Sequence, residues 1–207
     1  MDFELETPIA DDQIRRLKTG DVVALSGIIV TARDAAHQWL TDCFVHHKVV
    51  PTNEDHQIFD QLQLYLNGGI LYHCGPVVSK LESGGYRFVA AGPTTSIREE
   101  PYQADVMRLF NLKGVIGKGG MGAKTLRACG EGPAVYFHAV GGAAALIAAT
   151  VKEVVDVYKL EFGTPEAMWV IRVEKMPVVV TMDANGESLH DQVRKASTMK
   201  LDQLLGR

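Results

Sequence analysis

Residues 115–129, VIGKGGMGAKTLRAC, decide the reading of the fold. Val115-Ile116 is a short β-branched run, Gly117 to Gly122 is glycine-rich, and 123–129 has a helical composition. A strand that turns through glycines into a helix is the building unit of an α/β protein. The cluster Gly117-Lys118-Gly119-Gly120-Met121-Gly122 also satisfies G-x-G-x-x-G, which in this context is the pattern of a dinucleotide site. Such a site further needs an acidic residue about twenty positions on, to hold the ribose. No Asp or Glu lies between Glu131 and Glu153. A Walker A loop fails too, because Leu112 stands where its first glycine belongs and Gly119 follows Lys118. What remains is a row of backbone amides at a helix start, with Lys118 among them. It reads either as an anion cradle or as a tight turn with a solvated lysine.

On both sides of this unit the alternation of strands and helices continues. Residues 22–31, VVALSGIIVT, predict a bent strand or a tight hairpin broken at Ser26-Gly27. A helix is expected over 33–46, and a short one over 11–17. Residues 47–70 are mixed and polar and read as a loop-rich insertion with a short helix near 58–66. Strands are expected at 70–73, 86–91, 134–138, 151–158, 168–173 and 178–182, with helices at 101–110, from 143 onward and at 188–205. The simplest organisation is one mixed α/β domain over residues 1–207.

Composition bounds the function. The chain has 207 residues, 46% hydrophobic and 22% charged, enough for one well-filled core. A formal net charge of −4 gives no bulk attraction to nucleic acid or anionic lipid. Cys43, Cys74 and Cys129 include no close pair, which argues against a disulfide framework or a CxxC site and for buried thiols. The acidic start (Asp2, Glu4, Glu6) lacks the pattern of a signal peptide, so a cytoplasmic protein is expected. Residues 133–151 carry no formal charge over about the length of a membrane span. Gly141-Gly142 divides them into a β-like and an Ala-rich half, which favours a buried strand followed by a helix.

Two further segments carry chemistry. Gly92-Pro93-Thr94-Thr95-Ser96-Ile97-Arg98 is a hydroxyl-rich loop ending in a cation. It reads either as a helix cap, with Glu99 and Glu100 favouring the helix start, or as a site where Arg98 holds a carboxylate or phosphate. Thr31-Ala32-Arg33-Asp34-Ala35-Ala36-His37 lies where a strand gives way to a helix. Asp34 there can cap, and Arg33 suggests a ligand or a structural ion pair. Three cations at strand-to-helix junctions, Arg33, Arg98 and Lys118, suggest a small polyanionic substrate such as a dicarboxylate.

TARDAAH, AGPTTSIR, VIGKGGMG, the Gly-Gly-Ala-Ala-Ala segment and Gly163-x-Pro165-Glu166-Ala167-x-Trp169 occur in one order along the chain. Together they resemble the β subunit, or C-terminal domain, of class I iron–sulfur fumarases and L-tartrate dehydratases, over nearly the whole length. The resemblance implies a swivelling β/β/α fold, mixed sheets with flanking helices. It implies a hydro-lyase acting on a C4 dicarboxylate, with fumarate/malate favoured and tartrate the alternative; a non-catalytic anion-binding module is the other. It implies a 4Fe-4S cluster ligated by an α subunit, with one open iron as Lewis acid and no metal bound by this chain, and α2β2 or homodimer contacts. Nucleic acid and membrane are not expected partners. By motif position Arg33, Arg98 and Lys118 match the carboxylate-binding cations and Thr94 the group that handles the carbon-bound proton. Asp34, His37, Thr95, Gly117, Gly119 and Gly120 are supporting candidates. Two departures from the family pattern stand out: residues 43–70 read as a lineage-specific insertion, and Glu99 stands where methionine is expected.

Overall fold

Strand β2 (Val22–Thr31) organises the main sheet. The computed structural model, which describes residues 3–206, lays β1 (Phe3–Glu6) parallel to its first half and β3 (Ile70–Tyr72) parallel to its end. The parallel run continues through β6 (Gly114–Gly117) to β7 (Val135–His138). The long strand β9 (Met168–Met182) then runs antiparallel to β7 and, on its other edge, antiparallel to β2. This closes a ring β2-β3-β6-β7-β9, with β8 (Val151–Tyr158) paired to the first half of β9. The strands β4 (Val77–Lys80) and β5 (Tyr86–Ala90) form a separate hairpin.

Side-chain alternation along the parallel strands feeds two cores. Ile70, Tyr72, Ile116, Val135 and Phe137 point to one side and pack with Ile29, Phe88, Trp169, Ile171 and Val180. Leu71, Val115 and Tyr136 point to the other, beneath the helices. There they meet Leu40 of α2 (Asp34–Phe44), Leu62 and Leu66 of α3 (Asn53–Leu66), Val106 and Phe110 of α4 (Gln103–Phe110), and Cys129 of α5 (Ala123–Glu131). Helices, parallel strands and antiparallel strands thus form successive layers, matching the expected mixed α/β order. The short helices α1 (Asp11–Arg16) and α6 (Ala144–Thr150) contribute Ile14, Ile147 and Ala148 to the first core. The C-terminal helix α7 (Leu189–Leu205) follows the Ser188 N-cap and carries no buried residue.

For three local readings the structure decides between alternatives or changes the expectation, and the first keeps the bent strand. The segment 22–31 is one strand, because its pairing with β9 slips by a residue between Leu25 and Gly27 rather than turning back. The two strands expected at 168–173 and 178–182 are the single β9, bent at Lys175, whose φ is 50° and whose amide donates to Ser26 Oγ at 3.0 Å. Pro177 falls after the last β8 partner at Val173 and before the first β7 partner at Val179. One edge of β9 has no ladder to complete there, so a missing N–H is tolerated. The polar stretch before residue 58 is the first half of the 14-residue α3. Thr52 accepts from the Asp55 amide and Asp55 answers with the Thr52 amide, a reciprocal cap. Residues 133–151 divide into β7 and α6, and no helix among the described residues is long and apolar enough to cross a membrane.

Candidate active site

The carboxyl ends of the parallel strands lie side by side, and the sequence candidates sit on them. Arg33 follows β2, His73 follows β3, and Lys118 follows β6. The hydroxyl loop is stitched across β3 and β6 by its backbone: the Thr94 amide donates to His73 O (2.7 Å), the Lys118 amide to Thr94 O (3.1 Å) and the Ser96 amide to Lys118 O (3.0 Å). The loop is therefore fixed in place rather than left as a free connection. This is the end of an open α/β sheet at which ligands collect.

Each expected cation already has a partner. Arg98 is paired with Asp34 at the start of α2. The Arg33 guanidinium lies 3.2 Å from Glu166 Oε1, while Glu166 Oε2 accepts from the Ala35 amide at 3.1 Å. The Lys118 ammonium donates to Thr95 Oγ1 at 2.6 Å, so of the two threonines it is Thr95 that the lysine touches. The Arg98–Asp34 pair is open to solvent, whereas Arg33 and Glu166 are only about one-fifth exposed. Exposed pairs exchange partners at little cost; half-buried ones held by a further amide do not.

Beneath these charges lies a buried polar layer. Tyr136 donates to Ser96 Oγ at 2.8 Å, and Ser96 Oγ lies 2.8 Å from His73 Nδ1. His73 Nε2 (2.7 Å) and His37 Nε2 (3.0 Å) face the same end of the Gln103 carboxamide. His37 Nδ1 donates to Arg33 O at 2.9 Å, which ties α2 to the strand before it. Burial pushes the basicity of both imidazoles down, His73 to about 3. In that neutral state His37 has its single N–H on Arg33 O, so its Nε2 needs a donor; a Gln103 amide presenting its NH2 to both rings supplies one to each. Gly117 makes room for this layer, since a Cβ there would overlap Ser96 Oγ and stand 2.9 Å from Tyr136 OH. Gly119 and Gly120 have φ of 81° and 80° and carry the loop over to α5.

The row of amides at the α5 start is taken by the protein itself. The Glu100 carboxylate accepts from the amides of Gly122 (2.7 Å), Lys124 (2.9 Å) and Thr125 (3.3 Å), and from the Thr125 hydroxyl (2.7 Å). The anion cradle read from the glycine cluster thus exists and holds an internal anion. Lys118 turns away from it, toward Thr95.

Sequence reasoning missed Glu166, Glu99, Gln103 and His73 as parts of this cluster. Glu166 lay in a motif with no charge partner nearby in sequence, and His73 lacked any ligand spacing. The residues do not suit an iron–sulfur cluster held by this chain alone. Cys43, Cys74 and Cys129 are buried on separate elements, and burial pushes the Cys74 and Cys129 thiols up to about 12. Among the described residues no group of three or more His, Cys, Asp or Glu side chains is placed to hold a metal ion.

Residues 1–193 match the model of the family described as Fumarase C-terminus. A putative fumarate hydratase class I of Geobacillus stearothermophilus is 51% identical over 199 residues, which is 96% of this chain and 35% of that protein. The chain therefore spans about a third of that relative's length. A putative L(+)-tartrate dehydratase subunit beta of Methanocaldococcus jannaschii is 38% identical over 93% of both chains. The L(+)-tartrate dehydratase subunit beta of Escherichia coli K12 is 32% identical over 97% of this chain and 92% of its own. With the family model covering nearly all of the sequence and two relatives matched almost end to end, this chain belongs to the Fumarase C-terminus family.

Proposed function

We propose that the chain is the β subunit of an iron–sulfur-dependent hydro-lyase that reversibly hydrates a C4 dicarboxylate, with fumarate and malate as the favoured pair. The observation that carries this reading is the cluster of Arg33, Arg98, Lys118 and the Thr94–Thr95 hydroxyls at one end of the parallel strands. Two carboxylates need at least two fixed cations, and negative charge that develops on one of them in the reaction needs a third. In this reading Arg33, Arg98 and Lys118 bind the carboxylates and Thr94 delivers the proton to the carbon opposite the incoming hydroxyl. An iron–sulfur cluster would be held by a cytoplasmic α subunit and would supply a Lewis acid when bound; this chain supplies charge, hydroxyls and shape. Relatives named as L(+)-tartrate dehydratase beta subunits support an L-tartrate dehydratase β subunit as the alternative reading.

Lys118 on Thr95 favours a variant of this reading in which Thr95 is the activated hydroxyl, because an adjacent ammonium stabilises an alkoxide. Co-expression with an α subunit, followed by steady-state hydration kinetics and thermal melting of Thr94→Val and Thr95→Val, separates the two. A proton-moving threonine loses kcat and kcat/KM together with substrate affinity kept. A fully active Thr94→Val enzyme ends the Thr94 assignment. Absence of hydratase activity in the assembled wild type, on every C4 dicarboxylate tried, ends the functional reading.

A further inference from the structure

Glu99 closes the 3-10 turn Ser96–Glu99, directly after Arg98. Its side chain is fully buried, yet among the described residues neither carboxyl oxygen has a hydrogen-bond partner. Buried carboxylates in proteins are paired, hydrogen-bonded or protonated. Arg33, one of its charged neighbours, is also buried with an unpartnered nitrogen, Nε, among the described residues. The charged groups that face Glu99 come from three elements: Arg98 from its own turn, Arg33 and Asp34 from the β2–α2 junction, and Glu166 from the segment between β8 and β9. His37, which shares Asp34 and Glu166 as neighbours, is neutral through burial.

The charge balance makes Glu99 decisive. Arg33, Arg98 and Lys118 are set against Asp34 and Glu166, so the cluster is positive by one charge when Glu99 is protonated and neutral when it is ionised. A C4 dicarboxylate brings two negative charges. We propose that Glu99 is a specificity-determining residue of the dicarboxylate site, held as a neutral acid so that the cluster keeps a net positive charge for a dianion. Its ionisation cancels that charge and weakens dianion binding. Burial is the main cause that raises its pKa, to about 8; Asp34 adds to the rise, and Arg98 and Arg33 oppose it. The cations alone therefore do not keep it ionised. The other buried groups of the layer do not titrate between pH 7 and 9, since His37 and His73 are already neutral and Cys74 lies far above that range.

This inference rests on the dicarboxylate reading of the site, and the test keeps the two apart. The assembled enzyme is titrated with succinate, an unreactive C4 dicarboxylate, from pH 6.5 to 9. A group near pH 8 that must be protonated for binding weakens succinate by about tenfold between pH 7 and pH 9, and at pH 8 binding takes up protons from the buffer. Calorimetry in buffers of different ionisation enthalpy reads that uptake directly on the wild type. Glu99→Gln and Glu99→Met, close in size and unable to ionise, flatten the profile to less than about twofold and abolish the uptake. A merely structural Glu99 shifts melting in both variants and leaves the slope unchanged, which overturns the proposal. Wild type that binds succinate with a flat profile and no proton uptake overturns it as well, even if neither variant folds. An assembled enzyme that neither binds nor hydrates any C4 dicarboxylate overturns the functional reading, and the inference falls with it.

Discussion

Gly117→Ala tests whether the hydroxyl loop is seated against the central strand as described. The backbone at Gly117 cannot yield, because β6 is paired on both edges and Gly117 O accepts from the Ala139 amide at 2.9 Å. An added methyl overlaps Ser96 Oγ and stands 2.9 Å from Tyr136 OH and 3.2 Å from His73 Nδ1. Gly117 does not have positive φ, so the cost is one of space. Overpacking of a core site costs about 1–3 kcal/mol. Displacing Ser96 also breaks two buried hydrogen bonds, and a buried donor or acceptor left without a partner costs about 1–3 kcal/mol. The sum is about 2–6 kcal/mol, which at a urea slope of about 2–3 kcal/mol/M lowers the unfolding midpoint by about 1–3 M. Gly132→Ala is the control, since nothing lies within 4 Å of its added Cβ and it changes stability by under ~1 kcal/mol. Ser96→Ala in the Gly117→Ala background removes the overlapping oxygen, and the double mutant recovers about 1–2 kcal/mol relative to additivity. Gly117→Ala unfolding at the wild-type midpoint refutes the placement of Ser96 and, with it, the fixed loop.

If the proposed carboxylate-binding roles hold, Arg98→Ala and Lys118→Ala in the assembled enzyme each lower kcat/KM by about 10²-fold or more, the loss of one charge-assisted contact to substrate; circular dichroism confirms that the fold survives, and near-wild-type kinetics for either removes it from the site. Acid sensitivity follows from His73, whose basicity is depressed by burial and by neighbouring His37. Between pH 6.5 and about 3 the unfolded chain binds the proton that the folded chain refuses, so stability falls as pH falls through this window, by up to about 1.4 kcal/mol per pH unit. Thermal melting of His73→Asn, followed from pH 7 to 4, shows a shallower decline; an unchanged decline shows that His73 is not the titrating group.

Much of the fold was legible because the chain writes its layers locally. Runs such as Val115-Ile116 and 134–138 announce buried parallel strands, and the glycine loop marks where one of them hands over to α5. The misreadings have one cause in common, a residue type weighed without its surroundings. Residues 174–177 separate two expected strands until β2 is present opposite them, for only the register shift between Leu25 and Gly27 shows that the chain bends without reversing. The polar residues before Ile58 look like a loop until the outer face of α3 is recognised as solvent-facing, with Leu62 and Leu66 buried in the core and Ile58, Phe59 and Tyr65 packed against it. Thr52 and Asp55 carried the helix-start signal, and Asp55 is fastened from outside as well, by the Trp39 indole N–H at 3.0 Å and the Lys159 ammonium at 2.7 Å.

The site divides in the same way between what is local and what is not. A cation at a strand-to-helix junction is visible in a few residues, and Arg33, Arg98 and Lys118 were found on that basis. Their counter-charges are not visible there, because Asp34 meets Arg98 across 64 residues and Glu166 meets the α2 start across 131. Glu99 and Glu100 sharpen the point. Read together they favour the start of their own helix by charge. Folded, Glu100 instead caps α5, twenty-two residues away at Gly122, and Glu99 turns inward to a place with no partner. Two adjacent carboxyls of one type thus meet opposite surroundings, one receiving three amides and a hydroxyl, the other buried with no hydrogen-bond partner among the described residues. Such a difference is set by burial and long-range contact, and it decides how much positive charge the site presents to an incoming anion.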